Sequence, residues 1–264
     1  MKYFCLIVSL FAGCQFVSAQ ILKVDKGSID SDSSQYFLGS VNMDFNINNR
    51  STTVDQEVTF KGLSAHADLV YVAEQHAYML INTINYFTST GGPLISTGYA
   101  HFRINFLRRR KLSYETFTQV QYDDGRNMPF RFLQGGGIRI SLSREDKVKF
   151  HLGIGGMWET ERWKSLSVEN GEIEKEIWKT SNYISGQFNI NELVDLHLIT
   201  YYQGGNDVDS DLFRNRVSGD VVFKVKLTDK LSFLTNFTLQ YEDRPIIPIN
   251  NMVYSLTNGL KWDF

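Results

Sequence analysis

Residues 254–264 read YSLTNGLKWDF, and this alternating run is the most informative part of the chain. One parity is apolar except for Asn258, since it holds Tyr254, Leu256, Leu260, Trp262 and Phe264. The other parity holds Ser255, Thr257, Gly259, Lys261 and Asp263. Strict alternation predicts a β-strand with one apolar face and one polar face. The predicted strand continues to an aromatic residue at position 264.

The amino-terminal residues 1–19 have the pattern of a secretory signal peptide. Lys2 supplies a positive charge, an apolar run follows, and Ala19 ends a small-residue cleavage site. We expect cleavage after Ala19 and export of the remaining chain. The alternative is a lipoprotein signal that would lipidate Cys14, but Phe11 replaces the Leu that such a signal normally carries. Cleavage after Ala19 would remove Cys5 and Cys14 and leave no disulfide framework.

Eleven further stretches alternate between about residue 36 and residue 242, so the sequence predicts twelve strands in total. Most of them are longer than the five or six residues usual in soluble sheets, and they match a tilted crossing of a bilayer. The third, residues 77–87, alternates least clearly, and residues 178–190 are predicted as one strand. No run approaches the length of an apolar transmembrane helix.

The predicted connections alternate between short and long. Residues 143–147, 189–192 and 227–230 form short connections, and residues 161–176, 204–211 and 243–251 form long ones. This alternation is typical of barrels with periplasmic turns on one rim and external loops on the other. An even number of strands places both termini on the periplasmic side.

These patterns predict an all-β fold, a single antiparallel up-and-down transmembrane β-barrel of about twelve strands over residues 36–264. Residues 20–35 are predicted as a periplasmic amino-terminal segment. Aromatic residues at the predicted strand ends favour a bilayer, because amphipathic rings prefer the interface between water and lipid. The alternative is a soluble β-sandwich or a lipocalin-like barrel, whose apolar face would point inward.

Two resemblances support the membrane interpretation. The last strand resembles the closing strand of bacterial outer-membrane barrels, which implies that Phe264 is the signal read by the barrel-assembly machinery. Residues 113–162, with YETFTQVQYD, RFLQGGG and LGIGGMWE, and residues 225–232, VKLTDKLS, resemble the salt-induced outer-membrane protein family. That family consists of barrels of unknown activity, so the resemblance implies a bacterial outer-membrane location and no catalytic residue.

The polar parity predicts a set of charged side chains in the lumen: Arg103, Glu115, Arg131, Arg139, Lys149, Lys179, Asp220, Lys224, Lys226, Glu242 and Lys261. Twelve strands enclose less space than the porins that leave an aqueous channel. We therefore expect a narrow or occluded lumen. Its excess of positive charge should favour anions.

Charged segments of the chain bear on other ligands and partners. Asp207, Asp209 and Asp211 could offer oxygen ligands to a divalent cation, but their spacing does not match an EF-hand, and we expect no cofactor. Residues 108–111, RRRK, are interpreted as a rim that contacts lipid headgroups, so outer-membrane lipid and lipopolysaccharide are the expected partners. A formal charge of −2 argues against nucleic acid, and we expect a monomer.

The sequence thus favours a non-enzymatic barrel, either a narrow pore or a stress-related protein that supports the envelope. Two alternatives remain open. One is a lipid- or protein-modifying enzyme with its site at the extracellular rim. The other is a surface-binding module that uses the long external loops.

Overall fold

The computed structural model describes residues 35–49, 59–145, 147–165, 171–229 and 231–262. The predicted signal peptide, Cys14 and the predicted assembly signal Phe264 lie outside these ranges. Within them the protein is an all-β structure of thirteen antiparallel strands in one sheet. The remaining regular element is one 3₁₀ turn, Asp124–Arg126. None of the helical structure in the described ranges is long and apolar enough to cross a membrane.

The strands are long and follow one another closely. The first seven are β1 Tyr36–Asn49, β2 Thr59–Val72, β3 His76–Ser89, β4 Gly92–Phe106, β5 Leu112–Asp123, β6 Met128–Glu145 and β7 Val148–Lys164. The remaining six are β8 Glu172–Thr180, β9 Asn182–Asn189, β10 Val194–Asp207, β11 Leu212–Lys226, β12 Leu231–Glu242 and β13 Met252–Trp262.

Each strand pairs with the next one, but β8 and β9 share a single place between β7 and β10. The prediction of one strand over residues 178–190 was therefore wrong at one residue, Ser181, which separates β8 from β9. The backbone N–H of Ser181 still donates to the carbonyl of Gly155 at 2.8 Å, and the register is the same on both sides of the break. The sheet consequently has thirteen strands but twelve positions in the strand order, because β8 and β9 occupy one position together.

Two predicted long connections are shorter than expected. Strand β7 continues to Lys164 and β8 begins at Glu172, so that connection is residues 165–171. Strand β10 continues to Asp207, which leaves only residues 208–211 before β11. The sequence predicts loops there because near the rim neither parity is consistently apolar, so the alternation that marks a strand is lost. Residues 243–251 remain a long connection.

The two faces of the sheet have an inverted polarity. Apolar side chains are exposed along successive strands, as in Phe45 (70% exposed) and Leu256 (59% exposed). Charged side chains of the opposite parity are buried, as in Arg139 and Glu159, each 1% exposed. A soluble sandwich or lipocalin-like barrel would bury the apolar parity instead.

The polar face is buried because the sheet curls until distant strands meet across its interior. Tyr183 of β9 donates from its hydroxyl to Glu115 of β5 at 2.7 Å, and Arg103 of β4 donates to the hydroxyl of Tyr201 in β10 at 3.4 Å. Among the residues that the structure describes, no backbone pairing joins β1 to β13.

The weak alternation of the third predicted strand has a packing explanation. At the end of the interior near residues 73–75, the inward positions are apolar, and Val70, Val72, Ala77 and Met79 form a buried cluster with Tyr36 against it. Both parities of this part of β3 are therefore apolar, one inside and one outside.

The glycine-rich segments of β6 and β7 allow their backbones to approach closely. A Cβ atom at Gly137 would overlap the carbonyl of Ile154, and one at Gly155 would overlap the carbonyl of Gly136. Larger residues here would push the two strands apart, so these glycines have a structural role.

Candidate functional site

Among the described residues, two clusters of buried charged side chains flank one cavity, and the first is centred on Glu115. Its carboxylate lies 3.5 Å from Arg103 Nη1 and 3.9 Å from Arg139 Nε, and it accepts the hydrogen bond from Tyr183. The Arg103 guanidinium also lies over the ring of Phe117, at 5.5 Å from its centroid. We call Arg103, Glu115, Arg139, Tyr183 and Tyr201 the Glu115 cluster.

The second cluster is centred on Glu159, which is bound by Arg131 and Lys179. Arg216 joins three strands, because it contacts Glu159 at 3.0 Å, Glu161 at 2.7 Å and Glu242 at 2.8 Å. The members of this Glu159 cluster are Glu159, Glu161, Glu242, Arg126, Arg131, Lys179 and Arg216, with Arg126 lying 3.5 Å from Glu242.

These clusters are stable only as complete networks. Removing a charge from water costs several kcal/mol, and the cost is recovered when each ion has well-placed partners of opposite charge. Arg216 satisfies this condition, since its three nitrogen atoms each contact a different carboxylate. The interior is thus held by specific pairs across the sheet rather than by an apolar core.

A cavity of about 120 Å³ lies between the two clusters. Its lining includes four arginines, Arg103, Arg126, Arg131 and Arg216, but only one carboxylate among the described residues, Asp123. Glu115, Glu159, Glu161 and Glu242 pair with those arginines without lining the cavity. Guanidinium groups therefore form most of the charged wall of the cavity. Most of the carboxylates that neutralise them lie behind this wall and do not line the cavity.

The neutral part of the lining is mostly polar or aromatic, with Leu133 and Val253 as its aliphatic members. Side-chain amides and hydroxyls from several strands contribute to it: Gln119, Gln121, Gln203, Gln240, Ser181 and Thr238. Five phenylalanine and tyrosine rings also form part of the wall: Tyr99, Phe117, Tyr122, Tyr201 and Tyr254. The amides and hydroxyls can donate and accept hydrogen bonds around a polar guest.

Residues 243–251 cover the interior at one rim. Ile247 is 2% exposed and packs with Met128 and Trp163, and Ile246, Ile249 and Ile173 pack against this group. Trp163 in turn donates from Nε1 to Glu161 at 3.0 Å, which connects the apolar cover to the Glu159 cluster.

The start of this connection is fixed by Asp243. Its two carboxylate oxygens accept hydrogen bonds from the backbone N–H and the side-chain amide of Asn215, each at 2.7 Å. Partial burial acts to raise the pKa of Asp243. The hydrogen bonds from Asn215 and the charge of Arg244 outweigh this effect and hold the pKa below its usual value. The carboxylate is consequently ionised at neutral pH and keeps the cover attached to β11.

Most of the predicted lumen charges lie on the inner face. Seven of them are buried: Arg103, Glu115, Arg131, Arg139, Lys179, Asp220 and Glu242. Lys149 and Lys224 are half-buried on that face, and Lys226 is exposed at the rim. For Lys261 the structure describes the backbone, which pairs with Ser232.

The predicted set of lumen charges leaves out interior charges that the structure describes, among them Arg126, Glu159, Glu161, Arg214 and Arg216. Glu161 falls in the predicted connection 161–176, and Arg214 and Arg216 come shortly after the predicted connection 204–211. The signal was present, since Arg214, Arg216, Ser218 and Asp220 alternate with Asn215, Val217 and Gly219 in an unbroken strand pattern.

The acidic segment considered for a cation binds a lysine instead. Lys175 Nζ lies 3.1 Å from Asp207 and 3.0 Å from Asp209, and Arg214 lies 2.7 Å from the other oxygen of Asp207. Asp211 is exposed in the turn after them, with a φ of 51°. Within the described ranges no group of three or more His, Cys, Asp and Glu side chains is arranged to hold a metal ion.

The interior also brings His66 close to a serine. Ser64 Oγ lies 3.5 Å from His66 Nε2, but the hydroxyl donates to Asn85 Oδ1 at 2.6 Å, and His66 Nδ1 lies 3.1 Å from Thr83. The serine proton is directed to the amide and not to the imidazole. This arrangement is a hydrogen-bond network of the inner face, and it does not form the pair of nucleophile and base that a hydrolase requires.

Comparison with known proteins does not assign this chain to a family. No known protein family matches the sequence, and no curated protein matches it. The predicted membership of the salt-induced outer-membrane family thus stays a prediction. Among solved structures, the NanC porin is 10% identical, with a TM-score of 0.45, over 88% of this chain and 100% of the porin chain. A likeness of this strength carries no argument about function.

Proposed function

We propose that the protein is an outer-membrane β-barrel, closed by pairing of β1 with β13, with a narrow interior that prefers anions. The observation that carries the proposal is the inverted polarity of the sheet. Exposed apolar side chains on successive strands would be costly in water, at roughly 25 cal/mol per Å² of apolar surface. In a bilayer the same side chains contact hydrocarbon, so their exposure carries no such cost. Pairing of β1 with β13 would also leave no strand edge with unpaired backbone groups in the lipid.

The lipid boundary follows from the outer face of β7 and β8. Trp158 and Trp178 are directly opposite each other, and Trp178 is 75% exposed. Beyond them toward residues 165–171, the outward pairs become polar, with Thr160 opposite Glu176 and Arg162 opposite Glu174. Tryptophan followed by charge is typical of the aromatic girdle at a membrane interface.

The narrow interior supports a restricted pore rather than an open porin. The Glu115 and Glu159 clusters cross it, and Ile247 covers one end. Any conduction has to pass between paired side chains and the cover. The arginine-rich lining favours anions, because charges in a narrow interior are poorly screened.

Single-channel recording in planar bilayers tests this function. We expect small conductance steps and a reversal potential that indicates anion preference. Replacing Lys224 and Lys226 together by Glu should shift the reversal potential toward cations, because Lys224 lies on the inner face and Lys226 at its rim. The exposed outer residue Lys164 provides the control, since Lys164→Glu should leave selectivity unchanged. A cationic reversal potential in the unmodified protein would contradict the selectivity, and no channel events over many insertions would contradict the pore.

The proposed orientation places residues 165–171 outside the cell and residues 227–230 in the periplasm. An epitope tag inserted at Gly171 should bind antibody on intact cells, whereas a tag at Asp229 should bind only after permeabilisation. Both positions lie in connections between strands, so neither insertion interrupts the sheet. Labelling of the Asp229 tag on intact cells would reverse the orientation.

A further inference from the structure

We infer that the cavity between the Glu115 and Glu159 clusters is a binding site for a small oxoanion, such as a phosphate or a carboxylate. The inference concerns binding inside the folded sheet and holds whether or not the interior conducts.

The charge distribution around the cavity is the first argument. Arg103, Arg126, Arg131 and Arg216 line it, and Asp123 is the one lining carboxylate in the described residues. The carboxylates that pair with the arginines orient the guanidinium groups from behind. A planar guanidinium held in this way presents fixed N–H donors, which suit the geometry of a carboxylate or phosphate.

The remaining hydrogen-bonding capacity of these arginines is the second argument. Arg103 is 3% exposed and its Nη1 atom lies 3.5 Å from Glu115, but its Nε atom makes no hydrogen bond within the described structure, and the same is true of Nη2 of Arg126. Both side chains line the cavity. Buried donors are normally satisfied, so donors of this kind at a cavity wall indicate a guest that accepts hydrogen bonds.

The size of the cavity restricts the guest. A volume of about 120 Å³ is smaller than the roughly 300–1,000 Å³ of pockets for drug-sized ligands. It suits an anion of a few heavy atoms with some water. The amides of Gln119, Gln121 and Gln203 could complete its hydrogen bonds.

The test is calorimetric titration of the refolded protein in zwitterionic detergent with inorganic phosphate and, separately, with acetate. We expect saturable binding of one anion per protein and competition between the two probes. Arg103→Gln should weaken binding about tenfold or more, because one buried charge-assisted contact is lost. Arg126→Gln, in the 3₁₀ turn, should weaken it in the same direction.

Two further variants keep the test decisive. If Arg103→Gln fails to fold because Glu115 loses one of its partners, the double variant Arg103→Gln with Glu115→Gln removes both charges and should still lose binding. Arg162→Gln removes an arginine from the outer face and should leave binding unchanged. Absence of saturable binding with both probes, or an equal loss in Arg162→Gln, would overturn the inference. Because the titration needs no bilayer, its result is separate from that of the channel recordings.

Discussion

Replacing Glu159 by Gln is expected to lower the free energy of unfolding by about 3–5 kcal/mol, the usual cost of breaking a buried ion pair by removing one partner. Glu159 is 1% exposed and binds Arg131, Lys179 and Arg216, which lie on three other strands. Its loss leaves an excess of buried positive charge. Denaturant titrations of the protein refolded into vesicles would measure the change.

A matched control and a rescue make this result specific. Glu174→Gln removes a carboxylate that is 62% exposed and lies 3.8 Å from Arg162 on the outer face, so the loss should be under about 1 kcal/mol. Adding Lys179→Met to Glu159→Gln should recover part of the stability, because it removes one of the uncompensated charges. Equal losses in Glu159→Gln and Glu174→Gln would mean that the interior network does not stabilise the fold.

An arginine placed on the outer face should lower the free energy of unfolding, and the loss should be larger the deeper the position lies in the bilayer. Phe237 lies near the middle of β12 and pairs with Val221 and Leu256 on the neighbouring strands. Phe237→Arg should therefore lower the free energy of unfolding by about 2–4 kcal/mol, as found for arginine near a bilayer midplane.

Phe213 supplies the control for depth. It is also a phenylalanine on the outer face, 48% exposed against 37% for Phe237, but it lies at the start of β11 beside the turn 208–211. Phe213→Arg should therefore lower the free energy of unfolding by only about 0–1 kcal/mol. If both variants lost the same stability in vesicles, the assignment of Phe237 to the hydrocarbon layer would be wrong.

The sequence predicts the strands well where one parity is apolar throughout, as in β12 and β13. Alternation with period two is a local property, so it can be read from neighbours along the chain. It was less informative near the rim beyond Trp158, where Thr160 and Arg162 on the outside are as polar as Glu159 and Glu161 inside. The ends of β7, β10 and β11 were misplaced for this reason.

The cavity between the Glu115 and Glu159 clusters could not be predicted from the sequence. Arg103, Arg131 and Arg216 belong to β4, β6 and β11, and their convergence depends on how strongly the sheet curls. Pairing across the interior, such as Tyr183 with Glu115, links residues on β9 and β5 that share no local pattern. The polar parity of the strands predicts which charged side chains lie inside, but the position of each carboxylate behind its arginine depends on contacts between distant strands.

The central claim is that the apolar face of the sheet is in contact with lipid. Since Cys5 and Cys14 are the only cysteines and both precede the predicted cleavage site, single cysteines for spin labels can be introduced along β12 in the protein refolded into vesicles. Labels at Phe233, Thr235, Phe237 and Leu239 should be accessible to oxygen dissolved in the bilayer and protected from a water-soluble nickel reagent. Labels at the inward positions Asn236 and Gln240 should be shielded from the oxygen in lipid. Access of the nickel reagent to Phe237 and Leu239, with no alternation in oxygen access, would contradict the account.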